Sequence, residues 1–283
     1  MRQILILFIF LMLALATACT DEIDFDYSTV EPLPVIEGYV EEGGVKVSVT
    51  MTRDVTDSSR NHFVEDAEVL LSGPGGAVYS VPYVGQGMYR REGVACVEGG
   101  VYSLSVSLGG RTYEASDTMA MKPEDPRGGF FWEDIMETDY VSYRFAAMTP
   151  TDSLTHYVVS LTRGGKAYRW SAFNNYAAYD GLMDGRLTCF SRDDMDGKKD
   201  SHPEDVVRDG EAMEFVIAGI SRRVGDYYEA LLNGDDTCAN PDWAFSGGKA
   251  LGIFAARNVV RLPVTTFSID NVGDEADIAD AIK

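Results

Sequence analysis

Short runs that alternate apolar with polar residues fill the first third of the chain after Glu31. Val45-Lys46-Val47-Ser48-Val49-Thr50-Met51 and Val101-Tyr102-Ser103-Leu104-Ser105-Val106-Ser107-Leu108 are the clearest. A period of two sends one set of side chains to a core and the other to water, as in half-buried strands. Pro34 to Val40, Val64 to Ser72, Ala77 to Val84, Met88 to Arg91 and Arg111 to Ala115 complete the series. Gly73-Pro74-Gly75-Gly76 and Gly109-Gly110 punctuate it, the latter a hairpin dipeptide. About seven strands in roughly 90 residues predict an Ig-like or transthyretin-like β-sandwich.

Pro123-Glu124-Asp125-Pro126-Arg127-Gly128-Gly129 interrupts the pattern and predicts a domain boundary, because Pro and Gly concentrate where few contacts cross. Beyond it, Tyr140 to Ala147 and His156 to Thr162 read as strands, and Gly164-Gly165 as a hairpin into Lys166 to Trp170. Ala212 to Ile220 is a largely apolar run, hence a buried strand. Ser221 is placed to cap a helix carrying Tyr227, Tyr228 and Leu231 on one face, with Asn233-Gly234 ending it. Ala250 to Phe254 and Asn258 to Ile269 supply the last strands. The expected fold is mainly β: a sandwich over 32–122, then a second β-rich domain over 127–270 with one or two short helices. The acidic tail, 271–283, is expected to form a short helix or to fray.

The N-terminus breaks all periodicity. Arg2 is the only charge before Asp21, Ile4 to Ala16 is apolar, and Ala16-Thr17-Ala18-Cys19 follows. A positive start, an apolar core and a small-residue exit make residues 1–18 a secretory signal, too short for a comfortable membrane span. With Leu15, the exit resembles a bacterial lipobox, departing from it at Ala16 where Leu is usual. In such signals cleavage leaves the cysteine first and lipidated, here Cys19. The alternative is plain cleavage, leaving an unpaired thiol in an oxidising compartment. Residues 19–31 would be an acidic tether. Thr20-Asp21-Glu22-Ile23-Asp24 resembles the export run of surface lipoproteins in Bacteroidetes, and also suits a solvated tether.

Composition narrows the function. The 283 residues carry 24 Lys and Arg against 45 Asp and Glu, a net charge of −21, with 45% hydrophobic residues. The apolar share supports a folded core. The acid excess argues against nucleic acid, which needs clustered Lys and Arg, and against docking on anionic lipid.

Cofactor and enzyme signatures fail in turn: G-x-S-x-G, H-E-x-x-H and the phosphate-binding loop are missing from the sequence, and no cofactor is expected. His62, His156 and His202 lie far apart, so structural or exposed histidines are expected. Besides Cys19 there are Cys96, Cys189 and Cys238; Cys189 and Cys238 are placed to bridge, and Cys96, in an apolar run, to be a buried thiol. Asp193-Asp194-Met195-Asp196-Gly197-Lys198-Lys199-Asp200 is the best metal candidate, through Asp194, Asp196 and Asp200 as Ca²⁺ ligands. Arg192, Pro203 and the two lysines oppose that, and a solvated loop is the favoured reading. Trp170-Ser171-Ala172-Phe173-Asn174-Asn175-Tyr176-Ala177-Ala178-Tyr179 mixes rings with amides, as peptide- and sugar-binding surfaces do. Core packing is the expectation for each ring singly; a ligand surface is expected first at Trp170, Phe173, Asn174, Asn175, Tyr176 and Tyr179, with Trp132 and Trp243 as lesser candidates.

Several segments together match one family pattern. They are Val35-Ile36-Glu37-Gly38, Asp66-Ala67-Glu68-Val69, Gly87-Met88-Tyr89, Gly100-Val101-Tyr102-Ser103-Leu104, Cys189-Phe190-Ser191-Arg192-Asp193, Asp226-Tyr227-Tyr228 with Leu231-Leu232, and Ala250-Leu251-Gly252-Ile253-Phe254-Ala255-Ala256. With the N-terminal signal they resemble the family called domain of unknown function 4249, Bacteroidetes lipoproteins found beside TonB-dependent receptors. The resemblance implies a lipid-anchored outer-membrane protein, facing the exterior or the periplasm. It would be a non-enzymatic accessory that captures or gates a peptide or glycan for such a receptor. It implies no catalytic residue. An adhesin or assembly subunit is the alternative, which an exposed unpaired edge strand would favour. A divergent hydrolase comes third, and a pocket of convergent carboxylates would favour it.

Overall fold

The alternation read after Glu31 folds into two facing sheets. The computed structural model describes residues 31–53, 62–176, 181–195, 206–233, 244–262 and 265–282. β1 (Pro34–Glu41), β2 (Gly44–Met51), β6 (Met88–Glu92) and β5 (Tyr83–Gly85) form one sheet; β4 (Val78–Ser80), β3 (Glu68–Ser72), β7 (Val101–Leu108) and β8 (Arg111–Thr118) form the other. The expected strand Ala77 to Val84 is split between the sheets at Pro82, which has no N–H to give a ladder. Ile36, Val40, Val47, Val49, Leu71, Leu104 and Val106 are fully shielded between the sheets. Two buried tyrosines tie loops to this core. Tyr89 Oη donates to Val64 O and accepts from Ala67 N, each at 3.0 Å. Tyr102 Oη donates to Ala95 O at 2.6 Å and accepts from Val97 N at 2.9 Å.

The second half makes another pair of sheets. β9 (Glu124–Ile135), β10 (Thr138–Met148) and β13 (Leu182–Ser191) face β12 (Lys166–Asn174), β11 (His156–Arg163), β14 (Ala212–Ile220) and β16 (Asn258–Arg261), with β17 (Thr265–Thr266) pairing β14. Stacked and edge-on rings fill the gap: Tyr143 lies on Phe215 at 4.2 Å, and Phe130 and Phe190 meet Phe267 edge-on. A single turn, α1 (Arg192–Met195), follows β13. α2 (Arg222–Asn233) begins after Ser221, whose hydroxyl accepts from Val224 N at 3.4 Å. Its covered side is Val224, Gly225 and Tyr227, and Leu231 points to water. The acidic tail forms α3 (Glu275–Ile282), held by Arg144 to Glu275 at 2.9 Å.

The structure differs from the sequence expectation in two further ways. The chain passes from the first pair of sheets to the second between Thr118 and Glu124, and Pro123 to Gly129 is mostly strand: β9 begins at Glu124 and pairs with β10 as an edge strand, where a proline is tolerated. Gly128 is required by packing: a Cβ there would lie 2.5 Å from the Tyr143 ring and 2.6 Å from Arg144 O. The second difference is β15 (Leu251–Ala256), expected in the C-terminal half. It crosses back and pairs in parallel with β1, Val35 with Leu251 through Val40 with Ala256. Gly252 has φ +98, and a Cβ on it would stand 2.2 Å from Ile36 O, so glycine alone suits that crossing. Phe254 and Ala256 enter the first core, while Ile253 and Ala255 face outward. The C-terminal half thus lends a strand to the first sandwich, and Pro32–Lys283 forms one compact unit.

Polar clasps reinforce the lent strand. The Glu41 carboxylate takes Arg257 at 2.6 Å and Arg261 at 3.2 Å, and Arg261 also reaches Glu214 on β14 at 3.0 Å. Buried Asp117 accepts from Ala256 N at 2.8 Å. Arg223 on α2 donates to Ser116 O and Phe254 O at 3.1 and 3.0 Å.

Candidate functional site

Where the sandwiches meet, the outer face of the first sheet forms the floor of a cleft of about 230 Å³. Register fixes what it presents. Glu37 lies between Ile253 and Ser48, with Met88 beyond Ser48; Tyr39 lies between Ala255 and Lys46. Tyr227 and Tyr228 of α2 and Val158 and Ile220 of the second sandwich make the opposing wall. Val158, Ile220, Ile253 and Ala255 are buried, so the base of the cleft is apolar.

Charge sits at its rim. The Arg257 guanidinium is stacked 3.6 Å from the Tyr39 ring centroid and is committed to Glu41. Lys46 Nζ stands 5.8 Å from the same ring. Among the described residues Glu37 is the only carboxylate in the lining. Burial first, and the Glu37 charge second, push the Tyr227 phenol up to about 12. Burial also raises Tyr228, offset by Arg257 and reinforced by Glu37. Both phenols are therefore neutral hydroxyls at ordinary pH, facing one carboxylate. The arrangement offers apolar surface, hydroxyls and two unlike charges.

A family model described as "Domain of unknown function (DUF4249)" matches residues 20–275. The chain belongs to that family. No curated protein sequence matches it. Among solved structures it is similar to a two-domain fibronectin type III segment of chicken tenascin, at 15% identity over 66% of this chain and 90% of that one, TM-score 0.20. It is similar also to a chain of a cytokine receptor complex, at 11% identity over 87% and 100%, TM-score 0.24. A third is a DUF4785 family protein of Legionella pneumophila, at 13% identity over 64% and 50%, TM-score 0.18.

In this member of the DUF4249 family the aromatic segment does not converge on one site. Trp170 points outward from β12 and meets Tyr228 edge-on at 5.3 Å, behind the cleft wall. Phe173 points inward onto Phe145 at 5.1 Å. Asn174 accepts from Tyr176 N at 3.1 Å. Asn175 is buried and spent on its own loop, donating to Pro150 O at 2.8 Å and Ser153 O at 3.0 Å and accepting from Thr155 N at 2.8 Å. Tyr176 is 77% exposed. Tyr179 and Trp243 lie outside the described residues, and Trp132 is half-buried beneath Arg192 at 5.1 Å.

Other candidates fall elsewhere. Cys19 lies outside the described residues, as do Asp196 and Asp200; Asp194 is in α1, and nothing is described of its side chain. Among the described residues no three His, Cys, Asp or Glu side chains gather as metal ligands. Cys189 is a buried free thiol donating to Leu187 O at 3.1 Å, raised by burial to about 12, and Cys238 lies outside the described residues. The sequence placed Glu37 and Ile253 in strands and Tyr227 and Tyr228 on one helix face, but gave no sign that they meet. The alternation of β1 and β2 did carry the polar set Glu37, Lys46 and Ser48; the elements of the opposing wall were legible singly, their juxtaposition was not.

Proposed function

We propose that this protein is a lipid-anchored outer-membrane lipoprotein, exposed at the cell surface, that serves a TonB-dependent receptor as a non-enzymatic accessory. It captures or gates a small ligand for uptake. The observation that carries the reading is the N-terminal sequence, Ala16-Thr17-Ala18-Cys19 followed by Thr20-Asp21-Glu22-Ile23-Asp24. Membership of the DUF4249 family supports it through the company those lipoproteins keep. Among the described residues no helix is long and apolar enough to cross a membrane, so a Cys19-linked lipid would supply the anchor. The cleft suits capture: one carboxylate over an apolar base binds, whereas glycoside hydrolysis needs two carboxylates.

Labelled palmitate should enter the wild-type protein and not C19A, and surface biotinylation of intact cells should reach the body. Solubilised in gentle detergent, the native protein should bring down a large β-barrel receptor. An unacylated mature protein, or its recovery alone, refutes the reading.

A further inference from the structure

Glu37 and Lys46 stand at the cleft mouth with opposite charges that do not neutralise each other. Their strand register, Glu37 to Ser48 and Tyr39 to Lys46, makes them diagonal neighbours, roughly 7–8 Å apart in a regular sheet. Among the described residues neither joins an ion pair; the Lys46 ammonium rests over the Tyr39 ring instead. Arg257, the third charge in the lining, is already paired with Glu41 and stacked on Tyr39. Arg90, the partner of Lys46 across β2 and β6, is itself paired with Glu92 at 3.0 Å and so leaves the Lys46 ammonium as the free cation there among the described residues. A free anion and a free cation a few ångströms apart, above a buried apolar base, are complementary to a small zwitterion with an apolar side chain. The volume of about 230 Å³ is below the roughly 300–1,000 Å³ of pockets for drug-sized ligands, which limits the guest to a molecule smaller than a drug.

We infer that the cleft binds a free α-amino acid with an aliphatic or aromatic side chain. The ammonium meets Glu37, the carboxylate meets Lys46, and the side chain fills the space between Val158, Ile220, Ile253 and Ala255. The inference rests on the ligand-capture reading above and names the ligand class for it. A neutral sugar leaves both charges unused, and the Tyr39 face on which it would stack is covered by Arg257. An internal stretch of peptide has no charged termini to offer.

Calorimetric titration of the full-length protein in detergent tests this with L-leucine, Nα-acetyl-L-leucine and L-leucinamide. Leucine should bind, and each blocked derivative should bind at least about tenfold more weakly, since each strands one charge of the site. E37Q should erase the preference for leucine over acetyl-leucine and keep that over leucinamide; K46Q should do the reverse. Both side chains leave the solvent side of the sheet, and unchanged thermal unfolding of each variant confirms its fold. No binding of leucine or phenylalanine, equal binding of the derivatives, or loss of both preferences in either variant overturns the inference. Failure here with the receptor still co-purifying removes the amino acid and leaves the accessory role. Leucine binding by a protein that brings down no receptor has the opposite meaning.

Discussion

Glu41→Gln isolates the polar clasp between the sandwiches. Arg257 places Nη2 at 2.6 Å and Nε at 2.7 Å from one carboxylate oxygen, and Arg261 reaches the other at 3.2 Å. The Glu41 and Arg257 side chains are 12% and 24% exposed, so this arm is shielded; Arg261 is 47% exposed and heavily screened. A hydrogen bond to a charged partner is worth about 1.5–3 kcal/mol, and an exposed pair about 0–1 kcal/mol. Glutamine keeps the shape and one acceptor but turns an N–H₂ donor toward guanidinium donors. The expected loss is about 2–3 kcal/mol, dominated by Arg257. For a unit of this size that lowers Tm by roughly 4–12 °C. The variant is also one charge less negative than −21, which by itself relieves repulsion and favours folding, so a loss arises against that trend. Scanning calorimetry at low and high salt reads both effects. A loss below about 0.5 kcal/mol at low salt would falsify the claim that this clasp stabilises the junction.

Gly225→Ala sets helix propensity against packing: alanine gains about 1 kcal/mol in a helix interior, but its Cβ would lie 2.6–2.8 Å from the His156 ring, and overpacking costs about 1–3 kcal/mol. Urea unfolding should therefore report net destabilisation, and a stabilised variant refutes the close contact. Asp117, raised above its ordinary value chiefly by burial, favours folding while protonated, and that contribution is lost as pH rises through its folded-state pKa. D117N keeps the acceptor for Ala256 N, so it should flatten the fall in stability above the usual aspartate range; an unchanged pH profile contradicts the assignment. Phe254→Ala removes a fully buried ring of the lent strand and should cost about 3–5 kcal/mol by denaturant melt, with a loss under ~1 kcal/mol denying β15 its place in the first core.

Local pattern carried much of this architecture. The β7–β8 hairpin was legible because Gly109-Gly110 joins two alternating runs, and β14 because its apolar run is bounded by polar segments. The β1–β15 pairing was not legible, since a parallel contact between residues as distant as Val35 and Leu251 leaves no short-range periodicity. Pro126 and Gly128 did not show that their segment is itself a strand, because the residues that mark boundaries also serve at edge strands and under a close-packed tyrosine. The aromatic segment was expected ring by ring to pack in the core, and as a set it does not gather into one surface. Its rings lie on opposite faces of one strand, so Phe173 enters the core while Trp170 supports α2. The cleft draws its lining from several separate stretches, and only the tertiary fold assembles them.

The strand lent by the C-terminal half also sets an order of events for biogenesis. When residues 32–122 have emerged from a ribosome or a translocation pore, the open flank of β1 still awaits a partner made more than a hundred residues later. Vectorial, domain-by-domain maturation is thereby closed to this protein. A chain cut short before Leu251 would expose an unsatisfied ladder, inviting chaperone capture or clumping.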